Sequence, residues 1–305
     1  MIVIVAPGQG SQAPGFLSPW LELDGARERM TAFGEAAGVD LIAAGTEWDA
    51  DAIRDTAVAQ PLIVAASLLA YESLIEHAVA IPDGVAGHSV GEVAALYAAG
   101  VIGDTTAMHL VGIRGRAMAE AAALEATGMS AVIGGDEDEV LAALAALDLT
   151  AANHNGGGQI VAAGPLDALG KLAEQPPAGT RVIPLQVAGA FHTTYMAPAV
   201  ETLRSAAAEI IPSDPILTLW TNHDGSTVSD GRQALDLLVG QVASPVRWDR
   251  CMAAFAADGV TGIIELAPGG TLVGLAKRAL KGVPTVAIKT PDDLSAAVEL
   301  LGGTA

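Results

Sequence analysis

The chain has 305 residues, 51% of them hydrophobic but only 4% aromatic, and a formal net charge of −20. That length holds two domains, or one large α/β domain carrying an insertion, and buries a full core; the acidic balance argues against nucleic acid and anionic membranes, which both need a basic field. Cys251 is the only cysteine, which excludes an intrachain disulfide or thiolate cluster and points to a reducing cytoplasm.

The opening MIVIVAPGQG has no basic region and reads as a first strand, Ile2 to Ala6, running into a turn rather than as a signal peptide. Helical patterns follow over Trp20 to Ala37 and Ala57 to Val79. A short strand at Gly84 to Gly87 feeds the motif GHSVGE, and the helix after it, Ser89 to Ala99, is closed by Gly100 in a left-handed C-terminal position. The longest apolar run, VAALYAAGVIG, stops at Asp104, short of the roughly 18 to 20 residues of a membrane span, so no membrane helix is expected. Asp104 suits the N-cap of a helix running to about Ala122, with Arg114 in its middle.

Between about Thr127 and Val187 the rhythm changes. MSAVIGG reads as a strand and DEDEVLAALAAL as a helix with Asp136 and Glu139 at capping-box spacing; LTAAN and QIVAAG read as strands. GPLDALGKLAEQ follows as a helix with Pro165 near its first turn, and RVIPLQV as a last strand. This β-α-β-β-α-β order is ferredoxin-like. It predicts a subdomain, residues 126–188, inserted into a large catalytic domain formed by residues 1–125 and 189–305. The large domain resumes with a strand at ILTLW, helices around Arg232 to Val242 and Arg247 to Ala257, the buried strand GIIELA, the segment PGGTLVGLAKRAL, and a final strand and helix. Alternating strands and helices imply an α/β fold with a mostly parallel sheet covered on both faces, a hydrolase-like core.

In G-x-S-x-G a strand turns sharply into a helix and holds the serine in a strained conformation; Gly87, Ser89 and Gly91 fit, with a strand before and a helix after. The helix N-terminus would aim the Val90 N–H at a tetrahedral oxyanion. The alternative is that Ser89 is an ordinary N-cap. A serine nucleophile needs a base. His88 adjoins it, but neighbours on a sharp turn point apart; His77 and His109 sit in helical patterns. His192, in the loop VAGAFHTTYM at the edge of the insertion, is the favoured base.

The opening turn PGQGSQAPG matches G-x-G-x-x-A in outline, a dinucleotide fingerprint, but Pro14 and Gly15 interrupt the helix that would hold a pyrophosphate. The same turn can instead offer backbone N–H groups to an oxyanion. Arg114 is either a snorkelling surface residue or an inward charge that demands a carboxylate. No H-x-x-x-H, H-E-x-x-H or cysteine pair is present, so neither a metal nor a cofactor is expected. Lys277, Arg278 and Lys281 form the densest basic cluster, either complementing a helix C-terminus or meeting an acidic protein.

PGQGSQ, GHSVGE, RGRAM around Arg114, GAFH at His192, QVASPVRW from Gln241 and ELAPGGTLVGLAKR, in that order along the whole chain, resemble the malonyl-CoA:acyl carrier protein transacylases and the acyltransferase domains of polyketide synthases. The resemblance implies that Ser89 is the nucleophile and His192 the general base, oriented by the backbone carbonyl of Gln241. It implies an oxyanion hole from the N–H groups of Gln9 and Val90, and an Arg114 that clamps the malonyl carboxylate. Phe191 resembles the malonyl-selecting form of the acyl pocket, which Asn153 and Asn155 are expected to line. Implied partners are malonyl-CoA and an acyl carrier protein docking near Lys277, Arg278 and Lys281, in fatty acid or polyketide synthesis; a serine hydrolase is the more distant alternative.

Overall fold

A computed structural model describes residues 1–302. In chain order its strands are β1 (Ile2–Ala6), β2 (Gly84–Gly87), β3 (Thr127–Gly134), β4 (Thr150–Gly156), β5 (Gln159–Pro165), β6 (Thr180–Pro184), β7 (Thr218–Trp220), β8 (Thr227–Val228), β9 (Gly262–Glu265) and β10 (Thr285–Ala287). The larger sheet runs β10-β9-β1-β2-β7-β8, parallel except for the β7–β8 edge. Val3, Ile4 and Val5 of β1 are all buried, as expected of a central strand covered on both faces. The second sheet, β4-β5-β3-β6, is antiparallel throughout, with helices Glu137–Ala146 and Leu166–Glu174 between its strands and its own apolar cluster. The two sheets join at β4: Val246 N–H donates to the Ala152 carbonyl and His154 N–H to the Val246 carbonyl, each at 2.9 Å.

Helix Thr56–His77 is the one described helix long and apolar enough to cross a membrane, which corrects the expectation that no such stretch exists. Most of its residues are buried from Ala59 to Leu74 between neighbouring helices, so here it is a core element. Its N-terminus is fixed by Asp55, which accepts from the Ala57 N–H.

Several boundaries differ from the sequence reading for local reasons. The pattern over Trp20 to Ala37 splits into a short 3-10 turn, Trp20–Glu22, and a helix, Ala26–Ala37, because Gly25 adopts φ +74° between them. Asp104 lies inside its helix, Asp104–Ala122, and Gly103 is the cap; the carboxylate instead meets the Thr105 N–H and Arg29. Asp136 caps as expected, accepting from the Asp138 and Glu139 N–H groups. The strand read at ILTLW shrinks to β7, and its two-residue partner β8 carried no readable pattern.

Candidate active site

The helix after β2 begins at Gly91, not Ser89, because Ser89 has φ +54° and Val90 takes the cap position. The N-cap alternative for Ser89 therefore fails. The elbow needs its glycines for space: a Cβ on Gly87 would sit 2.0 Å from the Gly91 carbonyl carbon, and one on Gly91 2.2 Å from the Ala6 oxygen. Strand tip and helix start are thus packed backbone to backbone, which leaves the serine at the apex.

Ser89 Oγ lies 2.7 Å from His192 Nε2. His192 also has a positive φ, +60°, so both residues of the pair are held in a conformation that non-glycine residues rarely adopt. Its loop is tied down by the Ala190 N–H donating to Thr127 Oγ1 and by Thr193 Oγ1 donating to the Ala190 carbonyl. His192 Nδ1 is 2.8 Å from the Gln241 carbonyl, at the C-terminal end of helix Gly231–Gln241. A carbonyl only accepts, so Nδ1 carries the proton and the Nε2 lone pair faces the serine. Burial, reinforced by the Arg114 charge, pushes the imidazole down to about 3 against the opposing Gln241 bond. The histidine is a neutral acceptor at physiological pH.

Arg114 points inward and is 1% exposed, which removes the surface reading. Nη1 donates to Gln60 Oε1 at 2.6 Å; Nη2 donates to Gln241 Oε1 at 3.0 Å and lies 3.5 Å from Ser89 Oγ. Its Nε has no partner among the described residues. Burial lowers the guanidinium to about 10, opposed by Glu92, so it stays charged near neutrality.

A cleft of about 280 Å³ opens over the pair between the two sheets. Gln60, Ser89, His192 and Phe191 line it, together with Asn153 and Asn155 of β4. Asn155 Oδ1 accepts from His88 at 2.9 Å, so the histidine beside the nucleophile is turned toward the smaller sheet and away from the reacting atoms. Gln9 and Val90 also line the cleft, and no hydrogen bond among the described residues engages either backbone N–H. The opening turn and the elbow touch: a Cβ on Gly8 would lie 3.0 Å from the His88 carbonyl oxygen. No helix follows that turn before Trp20, so the dinucleotide reading has no structural support.

Three residues that the sequence reading passed over complete the site: Gln60 at the arginine, Asn222 and Glu92. Asn222, in the loop after β7, accepts from the Ser89 N–H through Oδ1 at 2.8 Å and donates from Nδ2 to the Gly87 carbonyl at 2.7 Å, bracing both sides of the elbow. Glu92 accepts from the Asn222 N–H at 2.6 Å and from Gln241 Nε2 at 2.5 Å. Burial pushes its carboxyl up to about 7, opposed by the Asn222 N–H and the Arg114 charge. Only the last letter of GHSVGE hinted at it.

Helix Thr271–Ala279 starts at the cleft with Leu272 and Leu275 in its wall and ends with Lys277 and Arg278, Lys281 following. Its first turn is fixed by the buried Glu265, which accepts from the N–H groups of Gly270, Leu272 and Val273 at 2.8 to 2.9 Å.

A serine on an elbow, a histidine held by a carbonyl and a buried arginine beside both define a serine acyltransferase. The chain belongs to that family: the model described as acyl transferase domain matches residues 3–296. It is 55% identical over 296 residues to the malonyl CoA-acyl carrier protein transacylase of Mycobacterium tuberculosis, covering 96% of this chain and 98% of that protein. The crystal structure of MCAT from Mycobacterium tuberculosis is similar with a TM-score of 0.95 at 54% identity, over 98% of this chain and 99% of the other. A malonyl-transacylase in complex with its type II PKS acyl-carrier protein gives a TM-score of 0.93 at 29% identity, over 98% and 99% of the two chains.

Proposed function

We propose that this chain transfers malonyl from malonyl-CoA to the phosphopantetheine thiol of an acyl carrier protein, in fatty acid synthesis, in the cytoplasm. The observation that carries the reading is the placement of the Arg114 guanidinium 3.5 Å from the Ser89 Oγ that His192 also contacts. A charged group buried beside a nucleophile, and held by neutral amides, suits an acyl group that ends in a carboxylate. The relatives of higher identity are transacylases named without reference to polyketides, so polyketide loading is the less favoured setting.

His192 takes the Ser89 proton as Oγ attacks the thioester carbon, and the oxyanion meets the Gln9 and Val90 N–H groups. The C–S bond then breaks, the imidazolium proton passes to the departing sulfur, and coenzyme A leaves as the thiol. A malonyl ester remains on Ser89. The carrier thiol gives its proton to His192 as it attacks that ester, and the serine regains the proton when the ester C–O bond breaks. The Gln241 carbonyl keeps the imidazole tautomer fixed through both halves. Phe191, beside His192, opposes a branched α-methyl group by bulk, and Asn153 and Asn155 border the acyl group.

Residues 126–188 act as an inserted subdomain that forms one wall of the cleft, with the rest of the chain as the catalytic domain. Lys277 and Arg278, at the end of the helix whose first turn lines the cleft, and Lys281 just after it offer an acidic carrier a local basic surface on a chain of net charge −20.

Intact-mass measurement after mixing with malonyl-CoA tests the reading. One malonyl per chain, absent from Ser89→Ala, and slow turnover without carrier are expected. Sustained release of free malonate would instead make the protein a hydrolase, and mass added to the alanine variant would place the nucleophile elsewhere.

A further inference from the structure

A buried arginine needs a compensating negative charge, and the nearest one in this site does not touch it. Arg114 donates only to neutral oxygens: Gln60 Oε1, Gln241 Oε1 and, at the limit of reach, Ser89 Oγ. The buried carboxylate of Glu92 lies on the far side of the Gln241 amide, accepting from Nε2 while Oε1 faces the guanidinium. The orientation of that amide follows from its neighbours. Arginine can only donate and a carboxylate can only accept, so just one of the two amide orientations satisfies both. Gln241 Nε2 also points to Asn222 Oδ1 at 3.1 Å, which in turn accepts from the Ser89 N–H.

We infer that Glu92 is a positioning residue for acyl selection: it neutralises Arg114 through the Gln241 amide, leaving the guanidinium free to take the substrate carboxylate as its first direct anion. A carboxylate in direct contact with Arg114 would stabilise the empty site equally well but compete with malonyl for the same donors. With none nearby, the desolvated guanidinium would be held without counter-charge. Placing the anion one hydrogen bond away keeps the charge balanced and the donors available when Glu92 is ionised, a state that burial, which pushes its carboxyl up to about 7, confines to neutral and alkaline pH. Gln241 thus serves the arginine through its side chain and the base through its backbone carbonyl.

The inference rests on the malonyl-clamp reading of Arg114, and the experiment separates the two. Rates of Ser89 acylation from malonyl-CoA and acetyl-CoA are measured by intact mass for the wild type, Arg114→Lys, Glu92→Gln and the exchange variant Glu92→Gln/Gln241→Glu. In Glu92→Gln the new amide presents a donor to Gln241, which must reverse and turn its own donors toward Arg114. Malonyl kcat/KM is expected to fall about tenfold or more, the size of a lost charged hydrogen bond, with a smaller fall for acetyl. The exchange variant keeps one carboxylate between positions 92 and 241 and the pairings with Arg114 and the Asn222 N–H, but loses the Gln241 Nε2 donations to Asn222 Oδ1 and the Ser89 carbonyl, so the denaturant midpoints of both variants are measured alongside to check that each is folded. Its carboxylate now meets Arg114 directly, and its malonyl-to-acetyl ratio is expected to fall as well. Equal losses for both substrates in Glu92→Gln, or a wild-type ratio in the exchange variant, would overturn the inference. An unchanged ratio in Arg114→Lys would overturn the clamp reading itself.

Discussion

Arg114→Lys is the most informative single change, because it keeps the charge and removes only the geometry. The guanidinium reaches Gln60 and Gln241 from two different nitrogens, at 2.6 and 3.0 Å. A lysine has one nitrogen on a straight stem and cannot span both, nor hold a carboxylate as a fork. Losing one hydrogen bond to a charged group costs about 1.5 to 3 kcal/mol. At about 1.4 kcal/mol per factor of ten, malonyl transfer should fall roughly ten- to a hundredfold in kcat/KM. Acetyl has no carboxylate to lose, so its transfer should fall less or rise. Steady-state transfer to a carrier protein, run in parallel with malonyl-CoA and acetyl-CoA, measures both. An equal loss for the two substrates would refute the assignment of Arg114 to the acyl carboxylate.

Other expectations follow from the same geometry. With the His192 imidazole pushed down to about 3 and the Glu92 carboxyl pushed up to about 7, an acid limb in malonyl kcat/KM near neutrality should belong to Glu92 and be absent from Glu92→Gln, whose profile holds its plateau through pH 5 to 6; a limb near the ordinary histidine value that survives in Glu92→Gln would show that the resting base is not the buried neutral ring. The same shift acts on stability: between about pH 3 and the ordinary histidine range near 6.5 the unfolded chain binds the extra proton, so the His192 contribution to stability rises with pH there, visible as a difference in acid-unfolding curves between wild type and His192→Phe. Asn222→Ala strips the acceptor from the Ser89 N–H and the donor from the Gly87 carbonyl. Each orphaned buried group costs about 1 to 3 kcal/mol, so the denaturant midpoint should drop measurably and acylation should slow together with it; wild-type acylation in a destabilised variant would show that Asn222 braces the fold without setting the nucleophile.

The parts of the molecule that were legible are those written in local spacing. Gly87, Ser89 and Gly91 announce an elbow because no side chain fits where the strand end and helix start cross, and the alternating β-α-β-β-α-β rhythm of the insertion needs no distant partner to be read. The site's supporting network was not legible. Asn222 acts on backbone groups of residues 87 and 89 across a gap in sequence that no pattern marks. Glu92 sits one helical step from the nucleophile, and in a short apolar helix a buried carboxylate is indistinguishable by spacing from one that faces water. Helix Thr56–His77 was underestimated as an apolar run because Gln60, Ser67 and Glu72 interrupt it. All three have definite jobs, Gln60 at the arginine, Ser67 donating to the Ala267 carbonyl and Glu72 paired with Arg29.

The backbone bridge between β4 and Val246 ties together two quantities usually considered apart. Val246 follows Gln241 after a few residues, and β4 carries Asn153 and Asn155, so the wall that sets the width of the cleft is fastened to the segment whose carbonyl aims the histidine. Prising the cleft wider would load the aiming carbonyl. A displacement of one wall of the cleft therefore acts on the same stretch of backbone that orients the base.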